Sequence, residues 1–185
     1  MARKMNTTQA SVAVMQEVMA QMGRLFTDGE PVGGKIPASR VQHRVGSQVA
    51  LDGFTDEFGN PLKEEECEGL VWGTVLRRYR TTDFPGEQFE SSNCDAPRAI
   101  LIQVGVARCS VAMDDHGNPP TQERMQWEAI RGLDDAGRLD SALCKAGGML
   151  TERGIINGWA VDSSEPMGPD GGVVSWGQQA AFYLA

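Results

Sequence analysis

The chain has little of what catalysis and metal binding run on. It holds two histidines, His43 and His116, far apart in 185 residues. His116 stands beside Asp114 and Asp115, a trio able to hold a metal. The pattern lacks the glycine and distal glutamate of a calcium loop, so an acidic turn is the preferred reading. GxSxG, GxxxxGK[ST] and HExxH are all missing. The glycine-rich run Gly168-Pro169-Asp170-Gly171-Gly172 leads into a strand. Without a helix N-terminus behind it, it makes a poor phosphate cradle. No catalytic, cofactor-binding or metal-binding residue is therefore assigned.

Other shortages exclude whole classes. No apolar run approaches the ~20 residues of a bilayer span. Thr7, Thr8, Gln9 and Ser11 interrupt any signal-peptide core behind Arg3 and Lys4, which argues against secretion. Bases are outnumbered, 17 against 25 acids, for a net charge of -8. That excludes a strong nucleic-acid clamp, which needs a basic excess to displace counterions. It suits a surface past which DNA slides without sticking. The four cysteines, Cys67, Cys94, Cys109 and Cys144, show no CxxC spacing, which disfavours a zinc knuckle. Without an export signal, four buried free thiols are expected.

What is present builds a core. Met15, Val18, Met19, Met22, Leu25 and Phe26 recur at helical spacing and predict a helix over 8–26, capped by Thr7 or Thr8 and ended by Gly29. Residues 28–68 form a loop-rich excursion, punctuated by glycine and proline, with a short strand in Arg40–Leu51. Its charge is polarised: Lys35, Arg40 and Arg44 come first, then a run of acids including Glu64, Glu65 and Glu66. Gly69 to Arg80 reads as a central strand whose end carries Arg77, Arg78 and Arg80 around Tyr79. Ala99 to Met113 is a second strong strand.

Thr121 then caps a helix over 121–146, with Met125, Ala129, Ile130, Leu133, Ala136, Leu139 and Leu143 as its buried face. Gly132 and Gly137 are expected to bend or split it, and Gly147-Gly148 to weaken its end. A strand over 154–162, a loop over 163–172 and a final strand over 173–184 close the chain. In the last, Val174, Trp176, Gln178, Ala180, Phe182 and Leu184 share a face. A chain closing at Ala185 on a sheet strand is expected to carry no tail for targeting. The expected fold is a single α+β domain over 1–185: a mostly antiparallel sheet of about four to five strands with two main helices packed on it.

Three segments carry a resemblance. They are Cys94-Asp95-Ala96-Pro97-Arg98-Ala99-Ile100-Leu101-Ile102-Gln103-Val104-Gly105-Val106-Ala107-Arg108-Cys109, then Asp114 to Thr121 leading into a helix, and Trp159 through Pro166-Met167-Gly168-Pro169-Asp170-Gly171-Gly172 to Trp176. They resemble neck proteins of long-tailed actinobacterial phages, and the element order is similar to siphophage tail terminators. The resemblance covers about the C-terminal half. It implies a structural virion protein forming a ring, commonly a hexamer. Such a ring caps the tail tube and meets the head-completion (stopper) protein, with DNA passing through the lumen and no cofactor. A different neck component (adaptor or stopper), a tail-tube subunit, and a small-molecule-binding or enzymatic domain are the alternatives. Glu64, Glu65, Glu66, Arg77, Arg78, Tyr79 and Arg80 are the expected subunit or partner contacts, since charge complementarity steers assembly.

Overall fold

The computed structural model describes residues 5–44, 54, 67–86, 95–110, 118–170 and 172–185. Helix α1 spans Thr7–Gly23. Its cap is Asn6, one residue before the threonines: the Asn6 side chain accepts from Gln9 N–H, and the Gln9 side chain accepts from Asn6 N–H in return. A wider turn over Arg24–Asp28 continues the helix and seats Phe26 in the core. Strand β1 (Val41–Arg44) follows, then β2 (Leu70–Arg80) and β3 (Arg98–Cys109). Helix α2 runs unbroken over Gln122–Glu152, and the chain ends in the hairpin β4 (Ile156–Asp170) and β5 (Val173–Leu184).

The sheet order is β1-β2-β3-β5-β4. All neighbours are antiparallel except β1 and β2, which run parallel. This is the expected α+β architecture. Both helices pack on one face, where Val14, Val18, Met22 and Phe26 of α1 meet Ile100, Ile102, Val104 and Phe182 of the sheet and Leu139, Leu143 and Leu150 of α2. The expected inward face of β5 holds: Ala180, Phe182 and Leu184 lie in this core and Trp176 packs against it. A smaller cluster covers the other face at one end. There Phe54, 1% exposed, packs with Leu70, Trp72, Ala107, Cys109 and Val173, and Arg40 lies 5.4 Å over the Phe54 ring.

Several expectations are corrected. The segment 163–172 is mostly strand, because β4 continues to Asp170. Its prolines are tolerated there since β4 is an edge strand, whose outer N–H groups face no ladder. Gly132 and Gly137 do not split α2, and Gly147-Gly148 does not end it. Two of these glycines are notches. A Cβ on Gly147 would stand 2.5 Å from the Trp159 ring, and one on Gly132 would stand 2.6 Å from Trp176 Nε1.

The thiols are also corrected. Cys67 and Cys109 are joined in a disulfide with their Cα atoms 6.0 Å apart, and Cys144 is free but exposed. The register explains the pair. Leu70 opposes Ala107 across β2 and β3, so the residues just before Leu70 lie against the end of β3. Cys94 lies outside the described residues.

Candidate interaction surfaces

The burial of α2 changes character along its length. In its second half Leu139, Ala142, Leu143, Ala146 and Leu150 form the expected apolar stripe. Extended toward the N-terminus, the same stripe reads Asp135, Arg131 and Glu128. Arg131 is 5% exposed and Asp135 2%. Arg108 of β3 donates from Nε and Nη2 to the Asp135 carboxylate at 2.7 and 3.0 Å, and from Nη1 to the Gly33 carbonyl at 2.7 Å. Arg131 Nη2 donates to the Cys109 carbonyl at 2.9 Å, and its guanidinium lies 4.8 Å over the Trp127 ring. Buried charges at such sites must be paired, and these are.

One turn on, Arg138 extends the same arrangement. It donates to Asp134 at 2.7 Å and to the carbonyls of Leu25 and Glu30, while Val32 N–H donates to Asp134. Partial burial pushes the Asp134 carboxyl up. The Arg138 hydrogen bond, the Val32 N–H and the charges of Arg138 and Arg108 outweigh it, and the carboxyl sits below its ordinary value.

With charges facing the sheet, the apolar residues of this half face outward. Met125 is 51% exposed, Ile130 51% and Leu133 65%. The expected buried face of α2 is therefore wrong over its first half and right over its second. Beside this ridge lies a groove of about 460 Å³ between α2 and the far end of the hairpin. Its walls include Met125, Leu133, Pro166, Met167 and Trp176, and Arg108, Arg131 and Asp135 line it as well. A second groove, about 350 Å³, lies along α1, lined by Val12, Met15, Met19 and Ile100 and rimmed by His43 and Arg78. Val12 is 51% exposed beside it. Among the described residues, each helix thus presents an apolar surface.

The expected contact residues are separated. A bulge between Val75 and Arg77 resets the alternation of β2. Arg78 then pairs with Ile100 on the helix-bearing face and lines the α1 groove. Arg77 and Tyr79 fall on the opposite face, the guanidinium 5.7 Å from the ring. Tyr79 is largely buried and donates its hydroxyl to the Pro85 carbonyl at 2.9 Å. Arg80 is half-buried and opposes Arg98. Arg77 and Arg78 remain exposed, one on each face. Glu64, Glu65 and Glu66, and the Asp114-Asp115-His116 turn, lie outside the described residues.

Among the described residues no cluster of three or more histidine, cysteine or acidic side chains is placed to hold a metal. No described helix is long and apolar enough to cross a membrane. No protein-family model matches the chain, and no curated protein matches it.

Proposed function

We propose that this chain is a structural virion protein of the tail-terminator type, a ring subunit that caps a tail tube and joins it to the head-completion proteins. One observation carries the reading: the outward-facing apolar ridge of α2, Met125, Ile130 and Leu133, beside an apolar groove. Exposed apolar patches of this kind mark surfaces that another protein covers. The α1 groove supplies a second, differently shaped surface. Two unlike patches on one chain are what head-to-tail contact in a closed ring requires. The helix–strands–helix–hairpin order and the resemblance at Cys94–Cys109 and Trp159–Trp176 give the ring its kind.

A groove of about 460 Å³ is also the size of a small-ligand site. Its polar groups are already engaged, however: Arg108 is bound to Asp135 and Gly33, and Arg131 to the Cys109 carbonyl. That leaves apolar walls, which fit an inserted side chain better than a polar metabolite.

Mass measurement in solution with negative-stain imaging of the purified chain tests the reading. Closed rings of about six subunits are expected. Long tubes would reassign the chain to a tail-tube subunit. A monomer at every accessible concentration, with no association with tube protein, would overturn it.

A further inference from the structure

We propose that the Cys67–Cys109 bond is a redox-gated staple that fastens the approach to β2, beside the Phe54 cluster on the sheet's helix-free face, to the end of β3, closed by thiol–disulfide exchange after the chain has folded. The two cysteines lie 42 residues apart in sequence and are brought together by the β2–β3 register. On one side of the bond stands the small cluster of Phe54, Leu70, Trp72 and Val173. On the other, the Cys109 carbonyl accepts from buried Arg131, and Arg108, its neighbour, is clamped to Asp135. The staple therefore links the Phe54 cluster to the charged clamp beneath α2.

Besides the bond, this corner is held by the packing of Phe54, by the Arg40 guanidinium over its ring, and by the Arg40 Nε bond to the Gly69 carbonyl at 3.0 Å. If these contacts hold the reduced chain in place, the bond closes on a site already formed, which the reduced-buffer arm of the test reads directly. Its gating follows from compartment: thiols stay reduced in a cytosol and oxidise outside it. The bond's place in the molecule stands apart from the ring reading. Its timing, open during assembly and closed in a released particle, rests on that reading.

The chemistry balances with a low-molecular-weight disulfide as oxidant. Cys67 is half-buried and Cys109 is 5% exposed, so exchange starts at Cys67. Its thiolate attacks the small disulfide, forming a mixed disulfide and releasing one small thiolate. The Cys109 thiolate then attacks the Cys67 sulfur, closes the protein bond and releases the second. Two protein thiols are oxidised, one small disulfide is reduced to two thiols, and the two protons pass to the released thiolates.

The test uses the full chain equilibrated in glutathione buffers from fully reduced to fully oxidised. Peptide mapping after alkylation reads the Cys67–Cys109 link, and melting temperature and hydrogen exchange are followed in parallel. The link is expected to form in oxidised buffer, with a Tm rise on the order of 10 °C. Exchange should slow at Leu70–Trp72 and Ala107–Cys109. Cys67→Ser and Cys109→Ser should each melt at one temperature across all buffers, and if one fails to fold the other serves. An oxidised chain in which Cys67 and Cys109 remain alkylatable would overturn the proposal, as would a link that moves neither Tm nor exchange. Absence of rings in the same samples would count against the functional reading and leave the staple standing.

Discussion

At the scale of single residues, tryptophans and glycines are coupled across the helix–sheet boundary. Gly132 and Gly147 admit Trp176 and Trp159, whereas Gly137 is exposed and a Cβ there would meet nothing within 4 Å. Alanine should therefore act oppositely at these sites. Gly137→Ala should stabilise by roughly 0.5–1 kcal/mol through helix propensity. Gly147→Ala should destabilise by about 1–3 kcal/mol through overpacking. Urea denaturation of the two variants decides it; equal shifts would remove the notch. The buried ion pair gives a second contrast. Asp135→Ala leaves Arg108 buried and unpaired and should cost about 3–5 kcal/mol, while replacing both partners by apolar residues should cost far less.

Asp134 adds a pH dependence. Its folded pKa is lowered, so its contribution is complete above the ordinary carboxylate value of 3.8 and fades as pH falls through the lower, folded value. The stability gap between wild type and Asp134→Asn should hold from pH 7 to about 5 and narrow below. A gap that widens on acidification would refute the sign.

At the scale of elements, α2 shows what a sequence discloses and what it hides. The strands Leu70–Arg80 and Val173–Leu184 were legible because alternation and continuous apolar runs are local signals. The second half of α2 was legible for the same reason. Its first half was misread because apolar periodicity favoured Met125, Ile130 and Leu133. The stripe that packs runs instead through Glu128, Arg131 and Asp135, and its partners are Arg108 and the Cys109 carbonyl, remote in sequence. The signal was present: those charges continue the 3–4 spacing of Leu139, Leu143 and Leu150. The arginine cluster at Arg77–Arg80 dispersed because successive strand residues point to opposite faces; the bulge before Arg77, which composition does not disclose, decided which face each took.

The correction sets a prediction. Leu133→Asp should fold and melt as wild type, because the side chain is exposed, yet lose self-association. Ile102→Asp, fully buried, should not fold. Circular dichroism and size-exclusion mass read both. An unfolded Leu133→Asp chain would mean that the ridge is core after all.

At the scale of the whole molecule, positive charge at the end of β2 is shared between two faces. Arg78 borders the α1 groove, and Arg77 stands on the other side of the sheet. Under the ring reading, Arg78→Glu should impair joining of subunits more than Arg77→Glu. Phage carrying either substitution would be scored for joined heads and tails, and equal, wild-type titres for both would set the arginines aside as solvated surface.

The prolines of β4 have a consequence for solubility. Pro166 and Pro169 sit in the outer strand of the sheet, and neither has an N–H to offer a passing chain. An outer strand of fifteen residues would otherwise template edge-to-edge pairing, the first step toward fibrous aggregates. Under the ring reading, subunits gathered at high local density would be most exposed to that hazard. The two rings thus act as a fence: association is left to side-chain surfaces with defined geometry, and open-ended growth by backbone pairing is denied to this margin of the sheet.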